Sequence, residues 1–400
     1  MNAQNSDRLF FWDTARAVLV LLVVALHAAA AYCTVLPWWH VRNADTGPAF
    51  DLLLSALDGF LMPTLFFIAG AFAPASLARR DPGTFFRAKV LRFVPTLLLL
   101  MVTLLPLMTY VGYVSRTPEP MGFPAYLGDW LASGADVAVH LYTTVADGMA
   151  ARDAISTHHL WFLAVLVGLF GGYALWRSVF PARPPSRAPG RDTPARTGVR
   201  PVPLVAAALG MGVACAGVAL AMPDGSWLRA TALVVVQPTR LPLYVGFFAL
   251  GAAVAEQGGL AAPWPGPWWL WLAVAVISLA AMFAAYPAVI GQTPGPFPLV
   301  LTHYLGRAFV SLGVVGLLGD LAGRGPAGKS APGRLSRTLA ASSYHVYLLH
   351  MPVVVILQYA LVDAALSMYV KFGAVWLVAV TACVLASRTF VRAVARRRAA

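Results

Sequence analysis

Asp13, Arg16 and His27 are the ionisable side chains that precede Tyr32 in an otherwise apolar stretch, FFWDTARAVLVLLVVALHAAAAY, starting at Phe10. Charged groups in lipid are costly and usually mark a pathway or a site. Arg16 and His27 stand eleven positions apart, which on a helix is about 16 Å along the axis and about 20° around it, nearly one face. An imidazole with an ordinary pKa near ~6.5 can take a proton from a poor nucleophile such as an alcohol. A guanidinium grips phosphate or carboxylate in a fork geometry. Asp13, at i and i+3 from Arg16, can pair with it. Plainer roles exist for each: Arg16 as a snorkelling anchor, His27 as a hydrogen-bonding bridge to a neighbouring helix. The two on one stripe say more than either alone.

Other chemistry-bearing residues are scattered along the chain. Lys89 and Arg92 open a later apolar run and suit either anion binding or a positive-inside anchor. His158 and His159 stand at the start of another, beside Trp161, which suits sugar stacking or an interfacial aromatic belt. His303 and Arg307, four residues apart, form a further polar pair, and His350 lies in the middle of a late apolar run, to orient a site or to bridge two helices. No third ligand has plausible metal-site spacing from the His pair, so no metal site is expected.

These residues need a scaffold, and composition says which kind. The 400 residues are 59% hydrophobic and only 11% charged, with a mean hydropathy of +0.72. A soluble domain runs nearer 45–50% apolar and about 25% charged, so a lipid bilayer is the expected solvent. Runs of the length that crosses a bilayer fall at 14–36, 52–76, 90–113, 159–180, 202–222, 231–255, 267–286, 298–322, 339–361 and 367–390. The expectation is an all-α bundle of about ten transmembrane helices forming one domain over 1–400, with its core at about 8–390. Pro63, Pro95, Pro106, Pro238, Pro242 and Pro352 fall inside spans, which membrane helices tolerate when neighbours satisfy the freed carbonyl. Residues 114–157 read as a long external loop with a surface helix, 181–201 as a disordered Pro- and Arg-rich cytoplasmic linker, and 388–400 as a basic tail. Met1 to Arg8 lacks the basic start and small-residue cleavage site of a signal peptide, so the first run reads as a retained helix.

The net charge of +13 does not imply nucleic-acid binding, because the basic residues sit in short clusters between apolar runs. Most of the 29 Lys and Arg residues fall in alternate connections. By the positive-inside rule that places both termini and the linker in the cytoplasm. Cys33, Cys215 and Cys383 all lie in apolar runs and read as small buried side chains rather than a disulfide framework.

The ordered set of motifs resembles the acyltransferase family 3 membrane proteins. Asp13, Arg16 and His27 resemble the family's opening helix, although Ala17 stands where glycine is frequent. LFFIAGAF, Leu65 to Phe72, resembles its FF-x-x-SG-F segment with Ala69 in place of serine. Lys89-Val-Leu-Arg92-Phe-Val-Pro95 resembles its R-x-x-R-x-x-P element with lysine first. His159 to Leu163 resembles H-x-W-F-L, and SSYHVYLLHMP, Ser342 to Pro352, resembles the late S-Y-x-x-Y-L-x-H-x-P signature.

The resemblance implies a bacterial-type inner-membrane O-acyltransferase that needs no permanently bound cofactor. It would move an acetyl or succinyl group from cytoplasmic acyl-CoA to a hydroxyl of a cell-envelope carbohydrate, and the branch linked to glucan succinylation is similar. His27 is then the candidate general base. Arg16, Lys89 and Arg92 are candidates for the CoA phosphates, His159 and His350 for substrate contact, and Asp13 for support of Arg16. Two rival readings stand beside it: a transporter or exporter of an envelope metabolite without group transfer, and a non-catalytic scaffold or sensor. A transporter often has two similar halves, and none is visible here.

Overall fold

Backbone in lipid must satisfy its own polar groups, and the apolar runs do so as helices. The computed structural model describes residues 3–135, 140–143, 155–181, 199–290, 293–324 and 333–399. Eleven helices follow in order: α1 Ala3–Ala29, α2 Pro48–Leu77, α3 Pro82–Val114, α4 Phe123–Ala132, α5 Trp161–Val179, α6 Pro201–Ala219, α7 Leu241–Glu256, α8 Trp268–Ala284, α9 Phe297–Arg324, α10 Arg334–Leu361 and α11 Met368–Ala399. Among the described residues nine helices are long and apolar enough to cross a membrane, and α8, at 17 residues, is a shorter apolar one. They match the ten expected runs in order. The short α4 falls within the expected loop 114–157. The expected linker 181–201 lies largely outside the described residues, and the basic segment 388–400 is the helical continuation of α11 as far as Ala399.

Consecutive long helices run up and down. One end gathers the connections after α1, α3, α6, α8 and α10, and there a small antiparallel sheet forms in the order β1 His140–Thr143, β2 Ser226–Arg229, β3 Val235–Val236. The Lys371 ammonium donates to Asn43 Oδ1 at 2.8 Å, tying the start of α11 to the loop after α1 at this sheet end. The other, basic end holds Arg177 paired with Glu256. The three cysteines are buried and free.

Two features set the crossing geometry. At the contact of α2 with α7, a Cβ on Gly70 would stand 2.0 Å from the Phe248 carbonyl oxygen, and one on Gly251 would stand 2.0 Å from the Phe67 oxygen. The LFFIAGAF segment is therefore where two backbones touch, a close approach that only small residues permit. The second feature is proline. Pro63 frees the carbonyl of Gly59, which accepts instead from Ser311 Oγ of α9 at 3.2 Å. Pro352 frees the carbonyl of Leu348, which lies 3.3 Å from His159 Nε2. Ser311→Ala should leave the buried Gly59 oxygen without its donor and lower the melting transition by the equivalent of about 1 kcal/mol. A thermal melt of purified protein checks this, and an unchanged melt would show that the contact contributes nothing.

Candidate active site

The apolar run of α1 ends at Ala29, short of the expected 36, and a 3₁₀ turn over Ala30–Tyr32 follows. Just beyond it the Asp51 carboxylate takes the amides of Thr34 and Val35 at 2.6 and 3.1 Å and the Thr34 hydroxyl at 2.7 Å, which stops the helix. His27 consequently sits in the last helical turn, nearer the sheet end than its place in the run suggests. Its Nδ1 lies 3.0 Å from Nε2 of His350, 323 positions away on α10. The other nitrogen of His350, Nδ1, faces the carbonyl oxygens of Tyr347 and Val346 at 2.8 and 3.1 Å, so it must carry a proton. With both rings neutral, His350 Nε2 is an acceptor and His27 Nδ1–H the donor. The tautomer that follows leaves the lone pair of His27 on Nε2.

A further set of contacts holds His27 in place. Trp39 stacks on its ring with centroids 5.7 Å apart and an interplanar angle of 13°. The Trp39 indole N–H donates to Gln358 Oε1 at 2.9 Å, and Gln358 Nε2 donates to the carbonyls of His27 and Ala28 at 3.0 and 3.2 Å. Those carbonyls belong to the last turn of α1, whose oxygens have no helical partner. Gln358 thereby fixes both the helix end and the tryptophan that covers the imidazole.

His27 lines a cavity of about 450 Å³. His159 lines it too. Its Nε2–H donates to the Leu348 oxygen freed by Pro352, while Nδ1 is buried and has no hydrogen-bond partner among the described residues. Its own backbone oxygen accepts the Tyr347 hydroxyl at 2.5 Å. Trp161, Tyr244 and Trp227 supply an aromatic wall, with Trp161 5.3 Å from Tyr244 and 6.1 Å from Trp227 between ring centroids.

The remaining wall is charged. Arg240 Nη1 donates to both Asp58 oxygens at 2.8 Å and its Nη2 to Asp224 Oδ2 at 3.0 Å. Arg307 donates from Nη2 to Asp58 Oδ2 at 3.0 Å and from Nε to His303 Nε2 at 3.0 Å. Burial on its own would push the Asp224 carboxyl up, but Arg240 and Arg307 outweigh it and hold the group well below the usual carboxylate range. The His303–Arg307 pair noticed in the sequence belongs to this cluster. Asp58, Asp224 and Arg240 were not singled out there. Asp58 and Arg240 carried a usable signal, being charged groups inside the expected runs 52–76 and 231–255; Asp224 lies just past the run 202–222 and carried none.

The basic residues expected to serve phosphates lie elsewhere. Asp13 and Arg16 form the expected ion pair at 3.1 Å, each with about 40% of its side chain exposed (40% and 38%). Lys89 places its ammonium 4.4 Å from the Phe170 ring centre, and Arg92 lies over Phe93 and Tyr344 at 5.6 Å. Arg92 is close enough to Arg16 for the two charges to repel. None of these four lines the cavity that holds His27. His350 does not line it either: it has no exposed surface and stands behind His27 with both nitrogens engaged.

The sequence profile of the acyltransferase domain family, acyltransferase family 3, matches residues 9–388. The chain belongs to this family. Its long apolar helices and this membership make it an integral membrane protein. Among curated relatives, this family 3 chain is 28% identical over 169 residues to Glucans biosynthesis protein C of Escherichia coli K12. It is 29% identical over 168 residues to Glucans biosynthesis protein C of Salmonella agona. Each alignment covers 42% of this chain and 38% of the relative's length. No solved structure matches the chain.

Proposed function

We propose that this acyltransferase moves an acetyl or succinyl group from cytoplasmic acyl-CoA to a hydroxyl of a cell-envelope carbohydrate, in the inner membrane with both termini in the cytoplasm. The observation that carries the reading is a histidine of fixed tautomer on the wall of a cavity that also offers aromatic and polar surface. His27 Nε2 accepts the proton of the attacking hydroxyl as its oxygen bonds to the thioester carbonyl carbon. The C–S bond then breaks, and the same nitrogen returns the proton to the departing thiolate. His350 does not touch the substrate in this scheme; it is a positioning residue that receives the Nδ1–H. Arg16, supported by Asp13, and Lys89 and Arg92 hold the phosphates of CoA from the basic end. His159 and the tryptophans meet the acceptor. The similarity to Glucans biosynthesis protein C supports a carbohydrate acceptor.

Purified protein given radiolabelled acyl-CoA and a neutral glucan oligosaccharide should label the sugar. Movement of a sugar across proteoliposomes without labelling would favour the transporter reading instead. Arg16→Ala should insert normally yet weaken acyl-CoA binding by the equivalent of about 2 kcal/mol, the loss of one charge-assisted phosphate contact. Donor affinity measured by titration checks this, and an unchanged value would return Arg16 to the role of an interfacial anchor.

A further inference from the structure

Four ionised groups in an apolar bundle need a reason. A buried ion-pair network adds little to stability over well-packed apolar side chains, because desolvation offsets most of the attraction. Here Asp58 and Arg307 come from α2 and α9, Arg240 from the turn that opens α7, and Asp224 from the segment leading into β2. A network that served packing alone would be closed. This one opens on the cavity: 29% of the Asp58 side chain is exposed there, against 12% for Arg240 and 8% for Asp224.

Its charge and its unused hydrogen bonds describe a ligand. Arg307 Nε–H points at His303 Nε2, and His303 Nδ1 faces the Met282 oxygen at 3.1 Å, so His303 is neutral. Among the described residues two guanidiniums then balance two carboxylates on this wall. A further carboxylate or phosphate would leave an uncompensated negative charge in a low-dielectric wall, which is costly. Neutral hydroxyls meet no such cost. Of the five N–H groups of a guanidinium, Arg307 directs three at His303, the Asp58 backbone oxygen and the Asp58 carboxylate, leaving donors to spare. Asp58 keeps acceptor capacity toward the opening, and donors beside acceptors suit adjacent hydroxyls that both give and receive. Trp161, Trp227 and Tyr244 border the same space and offer ring faces to the C–H surface of a sugar.

We infer that the Asp58–Arg240–Asp224–Arg307 cluster, with Trp161, Trp227 and Tyr244 beside it, is the acceptor subsite, which binds a neutral pyranose and holds one of its hydroxyls toward His27. The inference rests on the acyl-to-sugar reading above. It assigns Asp58 a specificity-determining role and excludes uronic acids as good acceptors.

The test uses full-length protein in detergent, radiolabelled acetyl-CoA and succinyl-CoA as donors, and neutral and uronic-acid oligosaccharides of equal length as acceptors. Asp58→Asn should raise the KM for the neutral acceptor by about tenfold or more, the loss of a charged hydrogen-bonding partner. Acyl-CoA affinity, measured by titration, should stay as in the wild type, which a general loss of structure would not allow. Trp227→Ala leaves every ion pair intact and should raise the same KM several-fold, so it decides the matter if Asp58→Asn does not fold. An unchanged acceptor KM in folded variants overturns the inference while leaving the acyltransferase reading standing. So does a variant that changes discrimination between succinyl-CoA and acetyl-CoA but not the acceptor KM, since the cluster would then serve the donor. A wild-type protein that labels no sugar overturns the reading and the inference together.

Discussion

His27→Ala is expected to lower acyl transfer by about 10²–10⁴, the usual loss on removing a general base, while expression and acyl-CoA binding stay close to wild type. His27→Gln makes the result specific. Glutamine can still donate a hydrogen bond toward His350 Nε2, which lies 3.0 Å from His27 Nδ1, but it cannot take a proton at neutral pH. A Gln variant with near-normal transfer would reduce His27 to a bridge between α1 and α10 and sink the catalytic assignment. His350→Phe keeps the ring volume and removes the acceptor for His27 Nδ1–H. It should lower kcat by about 10–100-fold, the scale typical of residues that orient another ligand or base, with donor affinity unchanged. Because the two histidines act as one unit, the His27→Ala, His350→Phe double variant should be hardly slower than His27→Ala alone. Additive losses would separate the two residues.

Gly70→Leu should remove most folded protein. Its Cβ alone would stand 2.0 Å from a backbone oxygen of α7, and the reciprocal Gly251 is equally tight against α2. Neither neighbour is a flexible side-chain end, so the helices must separate, at or beyond the upper end of the about 1–3 kcal/mol typical of overpacked sites. The same contact carries the Asp58–Arg240 pair across α2 and the start of α7, so any residual protein should also bind acceptor poorly. Gly210→Ala is the control, because a Cβ there meets nothing within 4 Å and alanine favours helix. Size-exclusion profiles of solubilised protein read the outcome. A monodisperse Gly70→Leu protein with a normal melt would show that the α2–α7 contact is not what holds the bundle together.

Much of the architecture was legible in the residues alone, for a physical reason. Apolar length is a local property, and a chain that is 59% hydrophobic must place its long apolar runs in lipid and fold them as helices. The Asp13–Arg16 pair and the shared face of Arg16 and His27 follow from helical rise and rotation, which are equally local. The expected run 267–286 is helical only over α8, Trp268–Ala284, and α1 stopped at Ala29 because Asp51, on the next helix, takes the amides of Thr34 and Val35. What tertiary structure decided is everything that joins one helix to another. No spacing rule pairs His27 with His350, sends His159 to the carbonyl freed by Pro352, or gathers Asp58, Asp224, Arg240 and Arg307 on one wall. Those meetings depend on how close and at what angle helices cross, and that is set by notches such as Gly70 against Phe248, where the identity of a residue matters only through a neighbour nearly two hundred positions away.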